Sequence, residues 1–232
     1  MTGAGASAES GIPTFRDAMT GLWAQYSPEK LASPAGFAED PGLVWNWYAW
    51  RREKVAAAEP NPGHNAIRDI QSILRDCTIV TQNVDGLHQR AGSEAVIELH
   101  GNLFDNICSE DRRPVNPTAW IPGEPPLCPR CGSPVRPGVV WFGEMLPEGA
   151  LQSARVAAAG CDVFFSVGTS SLVYPAAELA EIALRSGAVV VEINPAQTPL
   201  TGLADHVFAE PSAAALPRIR EALGQTRKGV TK

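Results

Sequence analysis

The sequence predicts an α/β fold, in which a Rossmann-like, doubly wound parallel sheet carries a helical insert and a small zinc-ribbon-like module. Two largely apolar runs, 162–167 and 188–193, flank a helical pattern at 175–185. Apolar runs without polar alternation suit parallel strands that are covered on both faces. A further apolar run, 77–81, ends in the polar segment 82–85. In doubly wound sheets ligands bind at such carboxyl ends of strands.

Two segments interrupt this pattern and define the expected domain organisation. Residues 19–62 are rich in Trp, Ala and Glu and predict the helical insert. Residues 108–137 are rich in Pro, Cys and Arg and predict the small module. The remaining segments, 1–107 and 138–232, would then form the main domain. The sheet also needs a strand that leads into Gly3, so we expect either that the chain starts late or that it lacks a central strand.

Composition sets limits on the function. The chain has 232 residues, of which 44% are hydrophobic and 19% charged, as in an ordinary soluble enzyme. No apolar run approaches the ~20 residues of a membrane span and no signal peptide precedes Gly3, so we expect a cytoplasmic protein that binds no membrane. The net charge of −6 argues against nucleic-acid binding and is compatible with basic, lysine-containing partners. Five cysteines indicate a metal or free thiols rather than disulfides.

The segment 3–17 combines glycines with a basic residue in one loop. Glycines let backbone N–H groups approach a pyrophosphate without obstruction by a Cβ atom, and Arg16 can balance its charge. The third glycine, Gly11, comes six residues after the second, so the spacing departs from the dinucleotide fingerprint G-x-G-x-x-G. A flexible N terminus is the alternative to a nucleotide-binding loop.

Three further segments belong with this loop: 81–88 (TQNVDGLH), 98–102 (ELHGN), and 168–170 (GTS) leading to 193–195 (INP). With these motifs in this order, nearly the whole chain resembles the sirtuins, which are NAD-dependent protein lysine deacylases. The segment 48–51 (YAWR) is similar to the Tyr-x-x-Arg signature of their class III group. The resemblance implies removal of acetyl, succinyl and malonyl groups from lysine, with release of nicotinamide and O-acyl-ADP-ribose.

The resemblance also implies which residues bind the cosubstrate NAD. The segment 82–85 would surround nicotinamide and its ribose, the segment 168–170 would bind phosphate or ribose, and Asn194 the adenosine ribose. An ordinary Asp-Gly turn and a helix N-cap at Ser170 are the alternatives. The implied NAD-binding residues are Gly3, Ala4, Gly5, Glu9, Thr14, Phe15, Arg16, Trp23, Gln82, Asn83, Val84, Asp85, Gly168, Thr169, Ser170, Asn194, Pro195, Ala196 and Ser212.

His100 matches the family's catalytic histidine in the motif His-Gly-Asn, although a lone histidine is more often packed or solvated. The resemblance implies that the acyl-lysine oxygen attacks the anomeric carbon of the nicotinamide ribose as nicotinamide leaves. His100 would then act as general base on a ribose hydroxyl, a role that suits an imidazole because its pKa lies near neutral pH. Asn83 and Asp85 would be the other catalytic residues.

Two segments are candidates for binding the substrate. The segment 139–144 (VVWFGE) resembles the family strand that pairs with the substrate peptide, and a buried core strand is the alternative for its first two residues. Tyr48 and Arg51 share a helix face, where a guanidinium and a phenol could bind the carboxylate of a succinyl or malonyl group. The implied substrate-binding residues are Tyr48, Arg51, Val140, Phe142, Gly143 and Glu144.

The cysteine module departs from the family pattern. Cys128 and Cys131 form a C-x-x-C knuckle, but the partner knuckle has Cys108 and then Asp111 where the second cysteine is expected. Zinc accepts three thiolates and one carboxylate, and the spacing suits a zinc ribbon. We predict one structural zinc bound by Cys108, Cys128, Cys131 and Asp111, with a module held by packing alone as the alternative.

Three other functions are considered at this point. A mono-ADP-ribosyltransferase would cleave NAD in the same way but transfer ADP-ribose to an amino-acid side chain. A noncatalytic nucleotide-binding module would need neither His100 nor the Tyr48 and Arg51 pair. Hydride transfer is disfavoured, because the loop spacing is wrong and no acidic residue follows at the Rossmann position. Detection of O-acyl-ADP-ribose would separate the deacylase from the first alternative.

Overall fold

A parallel sheet forms the centre of the molecule in the computed structural model, which describes residues 1–12, 24–74, 76–116 and 122–230. Strand β1 (Ile79–Thr81) pairs with β2 (Val96–Glu98), and β5 (Val163–Val167) pairs with β6 (Val189–Ile193), which pairs with β7 (His206–Phe208). All these pairs are parallel. The apolar runs at 77–81, 162–167 and 188–193 therefore form the strands that the sequence predicts.

Residues 1–3 lie between β1 and β5 and join the two halves of the sheet. Thr2 forms parallel bridges to Thr81 on one side and to Val167 on the other. Its N–H donates to the Val80 carbonyl at 2.8 Å, and the Gly3 N–H donates to the Val167 carbonyl at 3.0 Å. A central position of the sheet is therefore filled by the residues that lead directly into the glycine loop.

Helices cover both faces of this sheet. One apolar cluster packs α6 (Glu148–Gly160) and α7 (Glu178–Arg185) against Val190, and another packs α4 (Pro62–Ile73) and α8 (Ser212–Val230) against Val191. Neighbouring residues of one strand thus enter opposite layers, because side chains alternate along a strand. Helix α5 (Leu87–Arg90) follows β1. This is the doubly wound α/β arrangement that the sequence predicts.

The helical insert contains three helices in the described part of the chain. These are α1 (Pro28–Leu31), α2 (Pro34–Glu39) and α3 (Pro41–Ala57). Each begins with proline directly after a side-chain cap, since Ser27, Ser33 and Asp40 each accept a hydrogen bond from a backbone N–H of the first turn. Helix α3 is fixed to the strand that contains Asp105 by the buried Arg52, whose Nη2 donates to the Asp105 carbonyl at 2.7 Å.

An antiparallel pair leads into the cysteine module and out of it. Strand β3 (Gly101–Cys108) pairs with β4 (Val135–Val139), with a shift of register between Gly101 and Asn106. Gly101 has a φ of 72°, and a Cβ atom there would lie 2.1 Å from the Gly138 carbonyl oxygen, so only glycine fits beside β4. Across the described ranges, we find no helix with the length and apolarity that a membrane crossing requires.

Candidate active site

The glycine loop and the loop after β5 meet backbone to backbone. The Gly5 N–H donates to the Gly168 carbonyl at 2.9 Å. Gly168 has a φ of 60°, and a Cβ atom there would lie 2.4 Å from the Ala6 nitrogen. A Cβ atom at Gly3 or Gly5 would likewise lie 2.9 or 2.8 Å from Gly168, so the two loops can pack this closely only with glycine at these positions. This is the place where the sequence predicts that the diphosphate of a dinucleotide binds.

Polar side chains from the next two strand ends lie beside this surface. Asn194, directly after β6, donates from Nδ2 to the Thr169 carbonyl at 2.7 Å. The buried Thr169 hydroxyl lies 2.9 Å from that of Ser166, whereas Ser170 is exposed. The Asn194 Oδ1 accepts from the Ala196 N–H at 3.1 Å, and both Pro195 and Ala196 are exposed. The loops after β5 and β6 therefore form one rim.

Asn83 and Asp85 belong to a buried network with Ser7. Ser7 Oγ donates to Asp85 Oδ2 at 2.7 Å, and Asn83 Nδ2 donates to Ser7 Oγ at 2.9 Å and to the Gly3 carbonyl at 3.0 Å. Asp85 Oδ1 also accepts from the Leu87 N–H at 2.9 Å. Both side chains are therefore fixed by the glycine loop before any ligand binds, and Ser7 is the link.

His64 belongs to the same network and, like Ser7, was not predicted from the sequence. Its Nε2 lies 3.4 Å from Ser7 Oγ, and its Nδ1 accepts from the Asn61 N–H at 3.3 Å within the capping box of α4. Burial lowers the pKa of His64, while the Asp85 carboxylate opposes that shift. The histidine thus joins α4 to the Ser7 and Asp85 pair.

His100 stands at the end of β2 with its tautomer fixed by the backbone. Its Nδ1 lies 3.0 Å from the Gln82 carbonyl oxygen, which only accepts hydrogen bonds, so Nδ1 carries the proton. Burial lowers the pKa of His100, and the bond to Gln82 partly opposes this. The neutral ring therefore has an unprotonated Nε2 at neutral pH, which is the form a general base requires.

The predicted peptide-binding segment lies directly beside His100. The Val140 N–H donates to the His100 carbonyl at 2.9 Å, and the Phe142 N–H donates to the Ala32 carbonyl at 2.9 Å. Phe142 is 53% exposed and Gly143 is also exposed. Val84 is half-buried nearby, where its carbonyl accepts from the Leu103 N–H at 2.8 Å. An exposed segment, Phe142 and Gly143, thus closely follows the residue that hydrogen-bonds to the histidine.

The Glu144 side chain is engaged by neighbouring residues of the protein. Its Oε1 accepts from Arg136 at 2.7 Å and from Arg112 at 3.0 Å, and its Oε2 accepts from Arg136 at 2.8 Å and from the Trp141 N–H at 2.9 Å. Both carboxylate oxygens are therefore bound within the protein itself. The side chain of Glu144 secures the segment, and a direct contact with substrate stays a prediction.

Tyr48 and Arg51 share one face of α3, as their spacing predicts. Tyr48 is 1% exposed, and its hydroxyl accepts from Trp141 Nε1 at 2.9 Å. The Arg51 Cζ atom lies 4.9 Å from the centre of the Trp47 ring and 5.7 Å from that of Tyr48. Burial lowers the pKa of Arg51, which favours pairing with an anion.

Two predicted NAD contacts lie at the start of α8 rather than in the rim. Glu9 Oε2 accepts from the Ala213 N–H at 2.9 Å and lies 3.5 Å from the Ser212 hydroxyl, so Glu9 caps that helix. Ser212 is 3% exposed. Thr14, Phe15, Arg16 and Trp23 lie outside the described residues.

Three cysteines of the small module converge. The sulfurs of Cys108, Cys128 and Cys131 all lie within 4.8 Å of one another, with 3.4 Å between Cys108 and Cys131. Hydrogen bonds with Ser133 lower the pKa of Cys131 to about 7, with smaller effects of the other two thiols, which favours a thiolate. This donor set is compatible with a structural zinc ion.

Asp111 occupies the fourth position of the module, and two arginines bind its carboxylate. The Arg112 N–H donates to the Cys108 carbonyl at 3.0 Å, and the Gly132 N–H donates to the Cys128 carbonyl at 2.8 Å, so the two knuckles match. The Asp111 oxygens, however, accept hydrogen bonds from Arg130 and Arg113, which hold its pKa below the usual range. Among the described residues the metal-binding group contains the three cysteines alone.

Comparison with known proteins settles the family. Residues 3–175 match the model of the Sir2 family. The chain belongs to the Sir2 family. It is 52% identical to an NAD-dependent protein deacylase of Methylococcus capsulatus, over 98% of this chain and 92% of that protein. It is 51% identical to NAD-dependent protein deacylase 1 of Pseudomonas aeruginosa, over 94% and 91% of the two chains.

Solved Sir2 structures share the fold described above. A Sir2 homologue in complex with NAD superimposes with a TM-score of 0.91 at 45% identity, over 97% of this chain and 88% of that one. A Sir2 protein bound to an acetylated peptide has a TM-score of 0.83 at 32% identity, over 96% and 91%. These matches confirm the sirtuin resemblance and the predicted fold class.

Within this Sir2 fold the structure brings together most of the predicted site. The glycine loop, Asn83, Asp85, His100 and the rim after β5 and β6 meet at one edge of the sheet. Ser7, His64 and Trp141 were not among the residues predicted from the sequence. Ser7 stood within the glycine loop and Trp141 within the substrate segment, so their positions in the motifs were the available signal.

Proposed function

We propose that this Sir2-family chain is an NAD-dependent protein lysine deacylase with a preference for acyl groups that end in a carboxylate. The observation that carries the proposal is a single junction, where His100 hydrogen-bonds to Gln82 of the same loop that holds Asn83 and Asp85 against the glycine loop. A candidate base, His100, thus borders the glycine loop that the sequence predicts to bind the dinucleotide. The named function of the relatives described above supports the same activity.

The chain's own residues fit NAD at this junction. The diphosphate would lie along the meeting of the glycine loop with the loop after β5, whose close backbone approach depends on Gly3, Gly5 and Gly168. Asn194 and Thr169 would hold the adenosine ribose, and the segment 82–85 would hold the nicotinamide end. Bound NAD supplies an anomeric carbon that becomes electrophilic as nicotinamide leaves.

His100 would take a proton from a ribose hydroxyl at Nε2. The Gln82 carbonyl fixes the opposite nitrogen as N–H, so the imidazole needs no reorientation before it acts. Ser7 would keep Asp85 in place through its 2.7 Å hydrogen bond, and the Asp85 carboxylate would favour positive charge nearby. Held geometry of this kind contributes to rate because the groups need no ordering during reaction.

The acyl-lysine would lie between Val140 and the Tyr48 and Arg51 pair. The exposure of Phe142 and Gly143 supports docking of an extended peptide at this segment, a mode of binding that gives affinity with little sequence selectivity. Arg51 is a permanent cation that lies against two aromatic rings, so a carboxylate at the acyl terminus would be its partner. An acetyl group offers no such charge, which is the basis of the proposed preference.

The setting of the enzyme follows from the same chemistry. The cysteines of the described structure are free, and the three-thiol group suits a structural zinc in a reducing compartment, so we infer a cytoplasmic location. A net charge of −6 supports acylated proteins rather than nucleic acid as partners. Zinc bound there would stabilise the module at a distance from the ribose site.

Product analysis tests the proposed activity. The protein is incubated with NAD and peptides that carry acetyl-, succinyl- or malonyl-lysine, and the products are identified by mass spectrometry. A deacylase yields nicotinamide, free lysine and O-acyl-ADP-ribose in equal amounts. ADP-ribose attached to the peptide, without O-acyl-ADP-ribose, would overturn the proposal in favour of ADP-ribosyl transfer.

A further inference from the structure

The hydrogen bond between Trp141 and Tyr48 has a fixed direction. Trp141 Nε1 lies 2.9 Å from the Tyr48 hydroxyl, and the two side chains are 3% and 1% exposed. An indole nitrogen only donates, so the Tyr48 oxygen must be the acceptor. The hydroxyl proton of Tyr48 is therefore left to point toward another acceptor.

Trp141 itself is held from several sides. Its N–H donates to Glu144 Oε2 at 2.9 Å, and the Arg136 Cζ atom lies 3.6 Å from the centre of its ring. Arg136 in turn forms a two-point ion pair with Glu144 at 2.7 and 2.8 Å. The Phe37 ring packs at 5.3 Å from the Trp141 ring. The indole therefore cannot follow a moving phenol, and it fixes where the Tyr48 oxygen lies.

Arg51 also hydrogen-bonds to Tyr48, and a guanidinium can only donate, so the Tyr48 oxygen is again the acceptor. Burial raises the pKa of Tyr48 to about 12, against opposing effects of the Arg51 charge and of hydrogen bonds with Trp141 and Arg51. The phenol keeps its proton throughout the neutral range, while its oxygen is already occupied as an acceptor. The group that meets this face of α3 thus encounters donors: the Tyr48 O–H and the Arg51 guanidinium.

We propose that Trp141 is a positioning residue that makes the Tyr48 hydroxyl a donor toward the acyl group and thereby increases selectivity for acyl groups that end in a carboxylate. This inference rests on the proposed function, in which Tyr48 and Arg51 receive the acyl terminus. A carboxylate accepts a hydrogen bond from the phenol. The methyl of an acetyl group does not and leaves that buried proton unpaired, which is how a polar site rejects an analogue that lacks the matching group.

The test compares acyl selectivity in variants of Trp141. We expect Trp141→Phe to lower the ratio of kcat/KM for succinyl-lysine to kcat/KM for acetyl-lysine by about 3- to 10-fold, the worth of one hydrogen bond in a binding site. Phe37→Leu is the matched control, since it removes packing from the same indole but leaves the Tyr48 hydrogen bond, and its ratio should stay at the wild-type value. In a Tyr48→Phe background, Trp141→Phe should cause no further change.

A second replacement guards against a loss of folding in Trp141→Phe. Incorporation of benzothienylalanine at position 141 keeps the shape of the indole and removes only its N–H, and the ratio should fall as in Trp141→Phe. A wild-type enzyme that shows no preference for succinyl-lysine would overturn the proposed acyl preference itself. If wild type prefers succinyl-lysine and both replacements of Trp141 keep the wild-type ratio of kcat/KM values, the role of Trp141 is overturned and the acyl preference is not.

Discussion

Replacement of Arg51 by methionine should reduce activity on succinyl- and malonyl-lysine far more than activity on acetyl-lysine. Methionine keeps the apolar stem of arginine but removes the guanidinium, which makes the contacts with the Trp47 and Tyr48 rings. The change removes the cation that we propose to face the acyl terminus. The acidic acyl groups then enter a half-buried site with no positive partner.

The magnitude follows from burial and charge. A hydrogen bond to a charged group contributes about 1.5–3 kcal/mol, and an unpaired, desolvated carboxylate adds to that loss. Because Arg51 is half-buried, we expect a total of about 2–4 kcal/mol. This corresponds to a decrease of roughly 30- to 1,000-fold in kcat/KM for the acidic acyl groups. The cation–π contact of Arg51 with Trp47 contributes about 0.5–1 kcal/mol to the stability of this helix face, and its loss should affect all three substrates by the same factor.

The assay measures kcat/KM for acetyl-, succinyl- and malonyl-lysine in one peptide sequence. Lys54→Met is the matched control, because it removes an exposed cation from the same helix, less than one turn further along. Its three values should stay close to wild type. If Arg51→Met lowers all three values by the same factor, Arg51 has a structural role and the proposed acyl preference is refuted.

Three further changes probe the nucleotide site, the metal site and the base. Gly168→Ala should weaken NAD binding by at least about 10-fold in calorimetry, because its Cβ atom would lie 2.4 Å from the Ala6 nitrogen. Gly187→Ala is the control: this glycine has a φ of 84° and lies in open space, so the change should only lower the unfolding midpoint through backbone strain. Equal NAD affinities of the two variants would contradict the proposed diphosphate site. Asp111→Cys should retain zinc at a chelator concentration at least about 10-fold higher than wild type does, because it adds a fourth thiolate. Asp111→Ala should stay close to wild type, because Arg130 and Arg113 already bind the Asp111 carboxylate. Zinc loss in Asp111→Ala would make Asp111 a ligand. For the base, kcat should decline on the acid side only below pH 6.5, because burial lowers the pKa of His100 and the neutral ring is the active form; a decline that begins well above pH 6.5 would mean that another group limits the rate.

The strands of the parallel sheet could be predicted from sequence because burial on both faces leaves continuous apolar runs. The βαβ unit from β5 through α7 to β6 follows this pattern closely. The place of residues 1–3 could not be predicted, since three residues carry no periodicity. Their position depends on hydrogen bonds from Thr2 and Gly3 to two separate strands, which is tertiary information.

The site shows the same division. Asn83, Asp85 and His100 stand in motifs at strand ends, so their approach to one edge follows from topology. The structure adds the contacts between distant segments, such as Ser7 with Asp85 and Trp141 with Tyr48. The arginine partners of Asp111 and Glu144 are also tertiary information: each carboxylate lies beside two arginines, and the roles predicted for the two residues at the metal and the substrate stay predictions.

The most direct test of the account is product formation by wild type and by His100→Ala, with NAD and succinyl-lysine peptide. We predict that wild type yields nicotinamide and O-succinyl-ADP-ribose together. His100→Ala should form neither at a comparable rate and should still bind NAD with near-normal affinity, because the diphosphate surface lies on the glycine loop rather than on the imidazole. Near-normal turnover by His100→Ala, or no O-acyl-ADP-ribose from wild type with any of the three acyl peptides, would contradict the account.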